Sequence, residues 1–207
     1  MFAENAYLVR CDASAEWMAV DPGGEAAAMA EMLEGSGEPL RAIVLTHAHL
    51  DHIEGVAELA ERVPAPVHLH PEDRPLYHSV AQQAAMFGHR VRKPPPPDEA
   101  LAPGQPVILG ACSFEVRHTP GHSPGHVILY SRAASLAFVG DVVFAGSIGR
   151  TDLPGGSFHR LMASIREQVL TLPDETRLYT GHGPVTTVER ERTGNPFLIP
   201  QHPGSQA

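Results

Sequence analysis

Positions 46–52 read THAHLDH and place three imidazoles and one carboxylate within seven residues. These are the side chains that borderline divalent cations prefer, and a site that does chemistry leaves one coordination position open to water. Three later stretches each set one more such residue in a turn after a β-like run: His122 in SFEVRHTPGHSPGH, Asp141 in SLAFVGDVVF and His182 in RLYTGHGP. With His47, His49, Asp51 and His52 they make seven candidate metal ligands. Two cations about 3.5–4 Å apart, bridged by one carboxylate and one hydroxide, would call for about seven protein ligands. Binding of this kind lowers the pKa of water from about 15.7 to about 7 and provides hydroxide at neutral pH. Asp51 could both ligate and orient that hydroxide, and the cations would steady the oxyanion of a tetrahedral intermediate. A departing amide nitrogen needs a proton, whereas a thiolate whose acid has a pKa of about 8.5 departs without one. No separate acid is evident in these motifs, so a thioester is the expected substrate.

The elements around the motifs have to hold them at one place. Asn5–Arg10 and Glu16–Val20 read as a hairpin, followed by the turn Asp21–Gly24 and by a helix over EAAAMAEMLEG with Gly35 as its stop. The apolar run Arg41–Thr46 is a strand, and IEGVAELAERV is a helix stopped by Pro64. THAHLDH therefore lies where a buried strand hands over to a helix, the usual place for ligands in α/β proteins. A short strand at 66–70 and a helix from Glu72 to about Phe87 come next, with Tyr77 and Phe87 expected first in the core and second in a pocket lining. PPPPDEALAPGQP reads as a rigid extended connector within the domain. From Val107 short strands recur (VILG, SFEVRH, HVILYS, SLAFVG), then a helix from Ser157 and a last strand at 177–181. This pattern predicts two sheets flanked by helices in a single domain over 1–207.

The motifs THAHLDH, TPGHSPGH, FVGDVVF and TGHGP, in this order and spacing, resemble the signature of the metallo-β-lactamase superfamily. The wider sequence, from the first hairpin to Asn195-Pro196-Phe197-Leu198, is similar to its glyoxalase II branch, the hydroxyacylglutathione hydrolases. The resemblance implies an α/β fold, a four-layer αβ/βα sandwich of two mixed sheets, and two divalent metal ions, zinc first, with iron or manganese as alternatives. Carried over by motif, His47, His49 and His122 would hold one metal, Asp51, His52 and His182 the other, and Asp141 would bridge. The implied substrate is a small-molecule thioester of the S-lactoylglutathione type. β-Lactamases of the superfamily carry a cysteine at the position of Asp141 and usually lack the second residue of the Asp51-His52 pair, which disfavours a lactam. Arg150, in FAGSIGRTDLPGG, stands where the branch has a substrate-contacting lysine; it is a substrate-binding residue or a solvated loop arginine. Pro184 replaces a substrate-contacting tyrosine. Full-length members continue into a helical domain whose basic residues grip glutathione, whereas this chain ends ten residues past Phe197. A short form with different recognition is expected. The related persulfide dioxygenase branch is an alternative, with one iron on His47, His122 and Asp141. That branch usually has a cysteine in place of His126, and Asp51, His52 and His182 argue for a second metal. Hydrolysis of another small ester or lactone is a further alternative.

Composition closes off other classes. A net charge of −9 and the lack of any Lys/Arg run disfavour nucleic acid. No stretch reaches the roughly 18 apolar residues of a membrane span, and the start MFAENAYLVRCD has no signal-peptide pattern, so a soluble cytoplasmic chain is expected. Cys11 and Cys112 fit no disulfide framework or zinc ribbon and read as small core residues. His118 and His126 are candidates to orient the cluster; His68, His70, His78, His89, His159 and His202 read as surface or core residues.

Overall fold

The computed structural model describes residues 3–199, so His202 lies outside the described residues. Strands β1 (Tyr7–Cys11) and β2 (Glu16–Val20) form the expected antiparallel hairpin. Helix α1 (Ala26–Ser36) leads to β3 (Leu40–Val44), which pairs parallel with β2. After α2 (Leu50–Ile53) and α3 (Val56–Arg62), β4 (Val67–Leu69) joins β3 in parallel. Helices α4 (Arg74–His78) and α5 (Val80–Met86) precede β5 (Glu99–Ala100), which closes the first sheet in the order β1-β2-β3-β4-β5.

The second half begins with β6 (Val107–Leu109), β7 (Cys112–His118), β8 (Val127–Ser131) and β9 (Leu136–Gly140), joined antiparallel in sequence. A separate hairpin, β10 (Val143–Phe144) with β11 (Ser147–Ile148), leaves this sheet, and α6 (Phe158–Ser164) continues into one π-helical turn at Ile165–Val169. Strand β12 (Arg177–Thr180) pairs parallel with β9, then β13 (Thr186–Thr187) and α7 (Val188–Gly194) follow. The second sheet runs β13-β12-β9-β8-β7-β6.

Three apolar clusters define four layers. The period of two along a strand sends Met18 and Val20 to one side of β2 and Ala19 to the other. Ala19, Ile43 and Leu69 meet Met29, Leu33, Val56 and Leu59 of the helices outside the first sheet. Met18, Val20 and Val44 meet Phe114, Leu129 and Phe138 between the sheets, and Cys11 is buried there with Cys112 packed against it. Outside the second sheet, Ile128, Tyr130 and Val139 meet Leu161, Ile165 and Val169. Buried on both faces, β8 reads VILYS with no polar alternation. The result is the expected αβ/βα sandwich with mixed sheets.

Several boundaries differ from the sequence reading. Helix α1 passes Gly35 and stops at Gly37, whose φ of 66° closes it with a hydrogen bond to the Leu33 carbonyl. The helix expected over 72–87 is a 3-10 turn at Pro71–Asp73 followed by two helices broken at Ser79, whose hydroxyl donates to the Leu76 carbonyl. Leu50–Ile53 of the metal-ligand motif is already helical, and the proline-rich connector contributes β5. Among the described residues, no helix is long and apolar enough to cross a membrane.

Candidate metal centre

Strands β7, β9 and β12 run the same way, so His122, Asp141 and His182, which follow them, emerge on one side of the second sheet. THAHLDH follows β3, with His49 preceding α2 and Asp51 and His52 on its first turn. All seven expected ligands come together. His122 Nε2 is 2.8 Å from His49 Nδ1, 3.2 Å from His47 Nε2 and 3.5 Å from Asp141 Oδ2. His182 Nε2 is 3.2 Å from Asp51 Oδ2 and 3.6 Å from Asp141 Oδ2, and His52 Nε2 is 3.4 Å from Asp141 Oδ1. Donor atoms thus fall into two groups of metal-binding size, His47/His49/His122 and Asp51/His52/His182, with Asp141 between them.

Protons can be followed through the site. The Arg150 carbonyl can only accept, so His122 Nδ1 carries hydrogen towards it at 2.8 Å. His182 Nδ1 likewise donates to the Ala3 carbonyl at 3.1 Å. Thr46 Oγ1 donates to Asp21 Oδ2 at 2.6 Å and is left to accept from His47 Nδ1 at 3.1 Å. The same Asp21 oxygen accepts from His52 Nδ1 at 3.0 Å. Each of these four rings, when neutral, turns the lone pair of Nε2 inward, so acceptors face acceptors. His52 Nε2 and Asp141 Oδ1, both facing the cluster, are buried without a hydrogen-bond partner among the described residues. Buried polar atoms are ordinarily paired. A cation at each group resolves the conflict, and the residues present therefore fit divalent metal ions.

Electrostatics divide the rings into two sets. Burial, reinforced by the neighbouring imidazoles, holds His47 well below its ordinary pKa and brings His49 down to about 3. His122 and His126 are also lowered by burial; neutral, His47, His49 and His122 are able to ligate. Burial alone would lower His52, yet the Asp141 and Asp21 carboxylates raise it well above its ordinary value. Burial would raise Asp141, and His52 and His122 hold it below the usual carboxylate range. His182 is raised by its hydrogen bond to Asp51.

Residues not singled out in the motifs brace the site. Asp21, which the sequence marks only as part of a turn, also accepts from the Thr46 amide at 2.7 Å. Buried Asp73 accepts from the Ala48 amide at 3.0 Å, Ser123 Oγ at 2.7 Å and the Gly125 amide at 2.6 Å, tying the THAHLDH loop to the TPGHSPGH loop. Gln83 clasps the first loop from α5, accepting from the Leu50 amide and donating to the Ala48 carbonyl, each at 3.0 Å. Glu4, 3.9 Å from His52, is driven by burial to a pKa of about 9. His126 does orient the cluster: its Nε2 accepts from the Asp141 amide at 3.1 Å and its ring stacks on His47. His118 lies further out and donates to the Pro124 carbonyl at 2.9 Å. Gly181 is required by space, because a Cβ there would sit 2.1 Å from Asp141 Oδ1 and 2.8 Å from His52 Cε1.

The cluster forms the floor of a cavity of about 600 Å³. Leu76, Met86 and Phe87 of the α4–α5 segment line it, as do Phe144 and Ile148 of the β10–β11 hairpin. Of the two readings, core or pocket lining, Phe87 follows the second and is exposed at this cavity, whereas Tyr77 is buried and donates to the Pro95 carbonyl. Arg150 also lines the cavity, with its guanidinium forked on Asp152 at 2.8 and 2.7 Å.

With this fold and centre, the chain matches the model of the metallo-β-lactamase superfamily over residues 2–182, and it belongs to that superfamily. It is similar to the hydroxyacylglutathione hydrolase GloC of Haemophilus influenzae, 36% identical over 187 residues that cover 86% of this chain and 85% of the relative. Among solved structures it resembles BLEG-1, described as a B3 metallo-β-lactamase, at 39% identity and a TM-score of 0.88, with 95% of each chain covered. It also resembles TTHA1623 in a di-iron-bound form, at 44% identity and a TM-score of 0.86, covering 94% of this chain and 95% of that one. This chain is accordingly a metallo-hydrolase of the superfamily.

Proposed function

We propose that this metallo-hydrolase cleaves thioesters of the S-lactoylglutathione type. His47, His49 and His122 would hold one divalent cation, Asp51, His52 and His182 a second, and Asp141 would serve both. The observation that carries this reading is the convergence of lone pairs fixed from outside by Asp21, Thr46 and two backbone carbonyls. Two such cations, when bound, would polarise a carbonyl and supply hydroxide at neutral pH. Asp51, whose side chain reaches the cavity floor, would accept a hydrogen bond from the attacking water and set its line of approach. Arg150 would contact the substrate beside the cluster, its carbonyl anchoring His122. Zinc suits the His/Asp set, and the di-iron form of TTHA1623 makes iron the next choice, then manganese.

The leaving group follows from the lining. Outside the cluster, the titratable side chain of the cavity is Arg150, whose pKa the Asp152 hydrogen bond raises further, so no acid stands ready to protonate an amine. A thiolate needs none. The likeness to BLEG-1 favours a second reading, lactam hydrolysis, which the missing acid argues against. The test assays the zinc-, iron- and manganese-loaded protein for thiol release from S-lactoylglutathione, opening of a chromogenic cephalosporin, and oxygen uptake with glutathione persulfide. Thiol release abolished by a chelator and restored by metal is expected. One iron per chain with oxygen uptake and no thiol release would overturn the reading, as would lactam opening without thiol release.

A further inference from the structure

The cavity above the metal cluster has an unusual balance of surface. Met86 is 73% exposed and Phe87 50% exposed, in the lining of the cavity. Phe144, Ile148 and Leu153 contribute further apolar lining. Large apolar side chains grouped around a concave site mark a surface that a ligand covers.

Gln83 and Ser79 of the lining are already engaged, and the remaining polar side chains beside the cluster, Gln82 and Ser147, carry no charge. Gln83 Oε1 accepts from the Leu50 amide, and its Nε2 donates to the Ala48 and Leu76 carbonyls. Ser79 Oγ donates to the Leu76 carbonyl at 2.8 Å. Histidines of the cluster aside, Arg150 is the one cationic side chain in the lining among the described residues, and Asp152 answers its charge. The pair adds no net positive charge to a chain of net charge −9. A glutathione thioester would bring two carboxylates to this wall, and a carboxylate desolvated without a partner is strongly disfavoured.

We infer that the cavity walls select an uncharged apolar arm, and that the preferred substrate is a medium-chain acyl thioester of a neutral thiol. This rests on the thioester reading and departs from it in the thiol, since glutathione, the thiol of the S-lactoylglutathione type proposed above, is disfavoured. The acyl chain lies against the apolar lining of Met86, Phe87, Phe144 and Ile148, and Arg150 contributes its aliphatic stem. S-Lactoylglutathione is then a slow substrate.

The test uses the metal-loaded full chain in two arms. Calorimetric binding is measured for S-alkyl thioethers, methyl to octyl, of N-acetylcysteamine and of glutathione. Turnover is measured for octanoyl-N-acetylcysteamine and S-lactoylglutathione. Affinity should rise with each methylene, by up to about fourfold, and glutathione should bind no tighter than N-acetylcysteamine at equal alkyl length. Met86→Ser and Phe87→Ser, at exposed positions, should flatten this dependence on length. Octanoyl-N-acetylcysteamine should have the higher kcat/KM. Absence of a length dependence, or a glutathione thioether binding tenfold more tightly, overturns the inference. A tenfold preference in kcat/KM for S-lactoylglutathione also overturns it and leaves the thioester reading standing. Length-dependent binding with no turnover of either thioester supports the apolar cavity and removes the thioester reading.

Discussion

Asp21 sets two of the ring orientations in the cluster, since one of its oxygens accepts from both Thr46 Oγ1 and His52 Nδ1. Removing such a group commonly costs 10- to 100-fold in metal affinity. Asp21→Ala should therefore lose metal at the His52 group first; metal analysis after dialysis should find about one ion fewer per chain, and unchanged content would contradict the assignment. Asp141→Ala acts on both groups and should lower both metal content and hydrolysis, whereas full retained activity would refute a shared role for it. At this scale the sequence was informative where chemistry is local. Four of the seven donors sit inside one heptapeptide, and each of the others follows a β-like run. Asp21 and Asp73 escaped notice because what makes them matter is distant: Thr46 lies 25 positions from Asp21, and Gly125 lies 52 from Asp73.

Loops rather than whole strands carry the donors, so their mutual bracing matters most among the elements. Asp73 satisfies three donors on the two histidine-bearing loops, and Asp73→Ala would leave buried amides unpaired, a cost of about 3 kcal/mol or more by chemical denaturation. A loss below about 1 kcal/mol would mean the loops hold without it. Gly181→Ala forces a methyl onto Asp141 Oδ1, so metal content should fall even where the protein folds with normal circular dichroism; an unaltered metal ratio would count against that contact. Strands such as β2 and β8 were legible from alternation and from continuous apolar runs. The break at Ser79 and the β10–β11 hairpin were not, because a helix interrupted by one residue and strands of two residues leave no periodic trace.

The whole sandwich places the cluster where its two halves meet, so buried histidines couple the site to overall stability. In the metal-free chain between about pH 4.5 and 6.5, unfolding lets His47, His49, His68, His70, His122 and His126 bind protons that burial denies them, and these outnumber the protons released by the raised Glu4 and Asp73. The unfolded state binds more protons, so stability falls as pH falls through this window. Above about pH 6.5 the raised His52 and His182 reverse the sign, because the folded state then holds more protons. The melting temperature of chelator-stripped protein should peak near pH 6.5; a steady rise to pH 8 would contradict the burial of neutral rings. The layered architecture was foreseeable from two successive runs of strands with helices beside them, but the apolar character of the cavity was not, since Leu76, Met86, Phe87, Phe144 and Ile148 are scattered in sequence and gathered only by the fold. The central claim, a two-metal thioester hydrolase, is tested most directly by metal analysis coupled to thiol release on the same sample. About two divalent ions per chain, with thiol release that scales with metal content, is the predicted result; a single ion, or thiol release untouched by complete metal removal, would contradict it.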